Sequence, residues 1–423
     1  MNFLSHSPVK HYITALHVLI LLILTSVACS PSCASSKSTR ADESPTQAAA
    51  AEEAPQPRTA EERQDAVDAS TASMWLSVAA AAESSTQAYG QWREEMLRQA
   101  MDAAGPLPQL FQEALASIEF DPHPESITRN THYWVSNEYN HQLFRPTIKE
   151  HGGIYLGVGT DQNYLLAAWA RSPLMIPMDF DEQIRNTHHI YGVIFKRVET
   201  PEDFIEHWNE PNSETVLEWI KEDFGDGQRY SELSRTFGIA RTTIFWRLRT
   251  TARTYRARRI PTFLTDQEEY DFIRNLWKNN RVFPTRGDLT ADTTLVNIAS
   301  ILKELELHLG LVYTSNAEQY FPFTPEYRRN IIVQPFSETA LILRTRPISN
   351  LGFPEGGDYH YNIQNAQNFA RWMEVSPITN SFQLLTRHRQ NSETEGLSFI
   401  TAEPPESENR PRIADRSPQE TPE

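Results

Sequence analysis

Gly153-Ile-Tyr-Leu-Gly-Val-Gly-Thr-Asp-Gln-Asn163 and, one helix-length further on, Leu174-Met-Ile-Pro-Met-Asp-Phe-Asp181 decide the fold. Each is a short apolar run closed by punctuating residues, glycines in the first and carboxylates in the second. Runs of that length bounded by Gly, Pro, Asn or Asp read as strands buried on both faces. The pattern repeats outward at Arg281-Val-Phe-Pro284, Leu309-Gly-Leu-Val-Tyr313, Asn330-Ile-Ile-Val-Gln334 and Ala340-Leu-Ile-Leu-Arg344. Between the runs lie stretches of helical periodicity: Asp181 to Arg197, Asp266 to Asn279 and Asp292 to His308. In the second of these, Ile273, Leu276 and Trp277 fall on one side and Asp271, Arg274 and Lys278 on the other. Strands alternating with helices predict an α/β fold, a doubly wound, mostly parallel sheet covered on both faces.

The crevice of such a sheet lies outside the carboxyl ends of its strands, so the residues that follow each strand are the candidate site. Gly157 and Gly159 stand where a strand turns into a helix, with Asp161 and Asn163 just beyond. Glycine there permits positive φ and close backbone approach, and the helix start offers free N–H groups; a tight turn without a ligand is the alternative. Asp179 and Asp181 follow the next strand about 20 residues on, the spacing at which a carboxylate reaches ribose hydroxyls. Capping of the following helix is the other role open to them. Gly287-Asp288 follows a later strand, and Ser315, Asn316, Glu318, Gln319 and Tyr320 gather after another. Asn316 and Glu318 are the candidate catalytic pair. A carboxylate and an amide at a strand end suit the orientation of a polar partner, and Glu318 is a general base if burial raises its pKa. Both residues also suit the plainer task of satisfying backbone groups before Phe321-Pro322.

The flanks read differently. Residues 1–29 carry sparse positive charge, an apolar run from Ile13 to Leu24, and the ending Thr25-Ser-Val-Ala-Cys29. This is the pattern of a secretory signal peptide, too short for a comfortable membrane span. Ala28 before Cys29 resembles the bacterial lipoprotein cleavage box, in which the cysteine becomes the lipidated first residue; Ser26 departs from that pattern. The expectation is an exported chain held at the cell envelope through Cys29, the alternatives being an uncleaved anchor or a different start site. Residues 29–72, rich in Ala, Glu, Pro, Gln and Ser, read as a disordered acidic tether, and 391–423 as a disordered tail. Trp75, Leu76, Val78, Tyr89, Trp92, Met96, Leu97 and Met101 recur at helical intervals, giving an N-terminal helical segment over 73–106 that Gly105-Pro106 ends. The main domain is expected over 107–390 with a helical insertion at about 200–265.

Composition agrees with one sizeable folded body between irregular ends. The chain has 423 residues, 39% hydrophobic and 22% charged, with 27 Pro against 16 Gly. Of the net charge of −16, residues 41–70 carry −6 and residues 391–423 carry −5, so the folded part is only mildly acidic. That argues against a general polyanion binder. The two cysteines, Cys29 and Cys33, lie near the N-terminus, which excludes disulfide, thiolate-metal and cysteine-nucleophile chemistry from the body. Neither a Gly-x-Ser-x-Gly elbow nor a P-loop occurs.

Five motifs in one order carry a family resemblance: Trp134-Val-Ser-Asn-Glu138, Gly153 to Asn163, Pro177-Met-Asp-Phe-Asp181, Phe283-Pro-Thr-Arg-Gly-Asp288 and Tyr313-Thr-Ser-Asn-Ala-Glu-Gln-Tyr320. Together they look like an uncharacterised bacterial family whose fold resembles that of S-adenosylmethionine-dependent methyltransferases, over about residues 107–347. The resemblance implies a Rossmann-like sheet with S-adenosylmethionine as cofactor. It places Gly157 and Gly159 beside the methionine part, Asp179 or Asp181 at the ribose, Asp288 near the adenine amino group, and Ser315 and Asn316 where substrate-orienting groups stand. The candidate cofactor set is thus Gly157, Gly159, Asp161, Asn163, Asp179, Asp181, Asp288 and Ser315. Asn137, Glu138, Gln319 and Tyr320 are candidates for substrate contact. Thr160-Asp161 departs from the family pattern, where further glycine is usual, and sets an acidic side chain against the cofactor.

Two signals are set aside. Tyr230 to Leu248 resembles a helix-turn-helix, with Gly238 in the turn, and Arg241 to Arg259 is a basic run free of acids. Trp246 and Arg247 put the later apolar contact out of step, and an exported protein meets no chromosome; a helical insertion, or contact with anionic lipid, accounts for the run. His188-His189 point about 100° apart on a helix and cannot share a metal unaided, so they read as helix-surface histidines with no metal site. Two functions remain: a methyltransferase-type enzyme, or a non-catalytic binding module that uses the same crevice for another small ligand or a protein partner.

Overall fold

Val, Ile, Leu and Met fill the central strands because both faces of the sheet are covered. In the computed structural model, which describes residues 86–375 and 377–405, β1 (Ile154–Val158), β2 (Met175–Asp179), β3 (Thr285–Arg286), β4 (Leu309–Tyr313) and β5 (Phe336–Arg346) run parallel. β6 (His360–Asn365) lies antiparallel to β5, β7 is Gln390–Asn391, and β8 (Leu397–Ile400) runs parallel to β6. The order across the sheet is β3-β2-β1-β4-β5-β6-β8-β7. The chain therefore reverses its direction of travel between β1 and β4, and the gap opened there by diverging connections is where a crevice forms. The expected signal segment, Cys29, the tether and the tail beyond 405 lie outside the described residues, and no helix among those described is long and apolar enough to cross a membrane.

Residues 86–95 are helical and belong to a unit of their own; the rest, from Met96 onward, forms the unit that carries the sheet. Within that unit, residues 96–101 end a helix whose last carbonyls are held by Arg281: its guanidinium donates to the carbonyl oxygens of Gln99 (2.7 Å), Ala100 (2.6 Å) and Gly105 (2.7 Å). A cation at a helix C-terminus satisfies orphan carbonyls and meets the negative end of the dipole.

The covering helices are α1 (Gln162–Ala170), α2 (Glu182–Arg197), α3 (Gln228–Arg258), α4 (Gln267–Lys278), α5 (Thr294–Glu304), α6 (Pro325–Ile332) and α7 (Ala366–Val375). The expected amphipathicity of α4 holds: Ile273, Leu276 and Trp277 are buried and Lys278 is exposed. The stretch 200–265 is helical and shares the core. Phe204 stacks on Phe195 of α2 at 4.1 Å between ring centroids, and Trp208 meets Tyr191 at 4.8 Å. Full burial of each such ring contributes on the order of 2 kcal/mol.

Four expectations change. Asn330–Gln334 is not a strand: Thr324 accepts a hydrogen bond from the Tyr327 N–H (3.2 Å) and Pro325 takes the first helical position, so Ile331 and Ile332 close α6. The strand expected at Arg281–Pro284 reduces to a single bridge, Met175 with Val282, and pairing resumes only at Thr285 because Pro284 has no N–H to give. The sheet does not end at 390: β8 is buried between β6 and β7, so part of the expected tail is core. The resemblance to a helix-turn-helix fails as well, since Gln228–Arg258 is one helix of 31 residues that runs through Gly238 without a turn.

Candidate functional site

β1 ends on Val158 and Gly159, β2 on Asp179, and β4 leads into Ser315 and Asn316; these ends border one cleft. Its outer wall is the segment from Thr128 to Asn137, and Tyr133 and Tyr320 stand at its mouth, both partly exposed. The cavity volume is about 90 Å³, well below the roughly 300–1,000 Å³ of sites that engulf a drug-sized ligand. The only charged side chains lining it, among the described residues, are Asp179 and Asp181.

The two aspartates have different work. Asp181 caps α2, accepting from the Gln183 N–H at 3.0 Å, and its other oxygen pairs with His132 Nδ1 at 2.6 Å. Asp179 accepts from the Asp181 N–H (3.0 Å) through one oxygen. Burial pushes its carboxyl up to about 7; the backbone N–H of Asp181 works against this, and the charges of Asp181 and Asp288 add to it. Asp179 thus holds its proton to a higher pH than an ordinary carboxylate does.

Behind the cleft lies a layer of buried polar side chains. Asn163 donates to the Gly159 carbonyl (2.9 Å) and accepts from the Tyr155 hydroxyl (2.7 Å), while Gln162 donates to the Val158 carbonyl (3.1 Å). His188 reaches the same Gly159 carbonyl with Nε2 at 2.8 Å, so Nε2 carries the proton and Nδ1 accepts from the Tyr164 hydroxyl, also at 2.8 Å. Burial lowers His188 to about 4 against the opposing pull of that carbonyl and of Asp161, which keeps the ring neutral. The expectation of helix-surface histidines is therefore wrong for His188, which is fully buried; His189 is partly so.

These partners explain the glycines. A Cβ at Gly157 would overlap Asn163 and the Tyr155 hydroxyl, and one at Gly159 would overlap the Gln162 amide. The space that the family resemblance gives to the methionine part of a cofactor is filled by the chain's own Tyr155, Asn163 and Gln162. Asp161 does not crowd the cleft, because it turns inward. One oxygen accepts from the Ser136 N–H (2.9 Å) and the other pairs with Arg247 Nε (2.9 Å), whose guanidinium also lies 4.5 Å from the centre of the Tyr139 ring. This ion pair fastens α3 to the wall of the cleft.

Glu138 is wholly buried and saturated. His141 Nε2 (3.1 Å), Ser136 Oγ (3.1 Å), Ser315 Oγ (3.0 Å) and the Tyr313 and Thr345 hydroxyls surround its two oxygens. Burial raises its pKa, but the bonds from His141, Thr345 and Tyr313 outweigh burial and hold it below the ordinary carboxylate range. Glu138 is an anionic keystone under the cleft rather than a substrate contact. Glu318 is likewise closed off: one oxygen accepts from Tyr327 (2.7 Å) and the other lies 3.2 Å from Arg344 Nε, in a pair with no solvent exposure. Arg344 also donates to Asn362 (3.2 Å) and Gln364 (2.8 Å), making a polar ladder between β5 and β6. The expected role of Glu318 as a base is corrected to that of a structural counter-ion.

Asn137 and Asn316 do meet, because both donate to the Tyr359 hydroxyl, at 2.6 and 3.0 Å. Asp288 is not in the cleft lining; it accepts from the N–H and hydroxyl of Thr290 in its own turn. Gln319 is also absent from the lining. The structure thus brings together Asn137, Gly159, Asp179, Asp181, Ser315, Asn316 and Tyr320, and sets Gly157, Asp161, Asn163, Glu138 and Glu318 behind them. Sequence reasoning missed His188, Tyr359 and Arg247. His188 follows Asp181 by two helical turns, a usable signal; Tyr359 sits in an irregular connection that carries no period.

A model of a protein family described as a domain of unknown function, DUF7790, matches residues 133–401, from the wall of the cleft to the end of β8. No curated protein matches the chain.

Proposed function

The chain belongs to the DUF7790 family, a domain of unknown function, and on that premise we propose that its domain is a binding module for a small uncharged or cationic polar ligand, held at the carboxyl ends of β1, β2 and β4. The observation that carries this reading is the charge of the cleft: Asp179 and Asp181 are the only charged side chains among the described residues that line it, and His132 pairs with Asp181 and not with Asp179, so a phosphate or carboxylate ligand meets repulsion and a hydroxyl or ammonium group meets an acceptor. Tyr133 and Tyr320, exposed in the lining of the cleft, supply aromatic surface for the apolar side of such a ligand. Binding is favoured over turnover because Glu138, Asp161 and Glu318, the carboxylates set behind the cleft, are held by the protein's own side chains.

S-adenosylmethionine is the second reading, favoured by the strand order β3-β2-β1-β4-β5, shared with Rossmann-like sheets, and by Asp179 at ribose position. The residues present fit the ribose end of that cofactor and not its methionine end, where Tyr155, Asn163 and Gln162 occupy the space. No transfer step is derived through it. Calorimetry on the full chain with adenosine, S-adenosylmethionine, its demethylated product and adenosine monophosphate separates the readings. The proposal expects heat from uncharged or cationic compounds, none from the monophosphate, and a loss of about 10- to 100-fold in affinity in Asp179→Ala. Tighter binding of the monophosphate would overturn it.

The N-terminal pattern supports carriage of this module at a cell envelope through a lipidated Cys29. Metabolic lipid labelling checks this: Cys29→Ser abolishes the label and leaves precursor, and a variant that still matures would remove the anchor.

A further inference from the structure

The helix α3 turns one side into the core, through Leu233, Phe237, Ala240, Ile244, Leu248 and Tyr255, and leaves the other side bare. Along the bare side, Arg235, Ile239, Trp246, Arg249 and Arg253 are exposed at steps of four or seven and then three and four, so they lie on one stripe. The stripe is about 27 Å long at 1.5 Å per residue. Ile239 is 60% exposed and Trp246 57%, large values for apolar side chains two turns apart on one ridge.

The charges beside them are uncompensated. Arg241 pairs with Glu210 and Arg256 with Glu202, but Arg235 and Arg253 have no ion-pair partner among the described residues, and Arg249 has only the faces of Phe245 (5.8 Å) and Trp246 (5.6 Å). A chain with a net charge of −16 thus presents one ridge that is cationic and apolar together. We propose that this stripe of α3 lies on an anionic lipid surface, with Ile239 and the Trp246 ring entering the headgroup boundary and Arg235, Arg249 and Arg253 facing lipid phosphates.

The shape and chemistry of the ridge select that occupant. A second copy packed stripe to stripe would set arginine against arginine. The chain's own acidic segment, residues 41–70, has the charge but few large apolar residues to cover Ile239 and Trp246. A nucleic-acid backbone matches the arginines and leaves an isoleucine and an indole facing phosphate. A bilayer surface offers phosphate and hydrocarbon side by side on a flat face, and a single convex helix needs no groove to reach it. The proposal is independent of what the cleft binds.

The test uses the full chain with Thr242→Cys, an exposed position between Ile239 and Trp246, labelled with a polarity-sensitive dye in a background of Cys29→Ser and Cys33→Ser and mixed with vesicles of phosphatidylcholine, alone or with one third phosphatidylglycerol. The expected result is a blue shift of the dye on the anionic vesicles, reversed by high salt. Each of Arg249→Gln and Arg253→Gln should weaken the salt-sensitive binding about fivefold, and Ile239→Ser with Trp246→Ser should remove the blue shift while melting as the parent does. Equal emission on the two vesicle types would overturn the proposal. A shift produced by duplex DNA and not by anionic vesicles would do the same, and would make the ridge a nucleic-acid surface.

Discussion

Asp179 shows how one side chain can report on the state of a site. In the unfolded chain an aspartate ionises near pH 3.9; in the folded protein burial and neighbouring carboxylates move this one to about 7. Between those values the native state holds a proton that the unfolded state has released, so this group's contribution to stability is intact below about pH 4 and is lost as pH rises toward 7. Asp179→Asn removes the loss. The melting temperature of the variant relative to the parent should therefore climb between pH 5 and pH 8, and parallel curves across that window would show Asp179 ionised and solvated. The position of Asp179 was legible from the sequence because a strand-ending carboxylate has a recognisable setting. Glu318 has a similar setting and a different fate, since what decides it is Arg344, 26 residues away on the next strand, with 0% exposure for both side chains. No local pattern encodes that pairing. Asp161 misleads for the same reason: its partner Arg247 arrives from a helix inserted between β2 and β3.

Elements were legible in proportion to their periodicity. β4 and the helices α2 and α4 match their expected spans nearly to the residue because clean runs and clear caps mark them. β6 was invisible because His360, Asn362 and Gln364 alternate with Tyr361 and Ile363, so a strand buried on both faces reads as polar. Its polar face is paid for by Arg344 and Ser398, which lie across from Asn362 and Gln364 or His360. The helix-turn-helix resemblance rested on Gly238, and the element itself offers a direct check. In a turn, a left-handed glycine resists substitution; in the continuous helix found here Gly238 is exposed with open space where a Cβ would go. Gly238→Ala should raise stability by about 0.5–1 kcal/mol in denaturant melts, the usual gain for removing glycine from a helix interior. A loss of that size would restore the turn.

At the scale of the whole molecule, the strands fall into two groups. The parallel set β3-β2-β1-β4-β5 builds the cleft, and β6, β8 and β7 extend the sheet beyond it. The extension is not an accessory: β8 pairs with both β6 and β7, and Leu397 and Ile400 are buried. Removing residues 391–423 should cost several kcal/mol, enough to lower the melting temperature markedly, because it strips β6 of its outer neighbour and uncovers Tyr361 and Ile363. Removing only residues 406–423 should leave the melt unchanged; equal melts for the two truncations would show that β8 contributes nothing. The end of the domain was misjudged because Glu, Pro and Ser crowd the segment on either side of Leu397-Ser-Phe-Ile400, and composition averaged over the tail hides a four-residue strand.

That late strand also sets a schedule. The open edge of β6 waits for residues 397–400, which come last of all the strands in chain order. Until then a growing chain carries an unfinished sheet, in which His360 and Asn362 of β6 still lack the Ser398 hydroxyl that satisfies them.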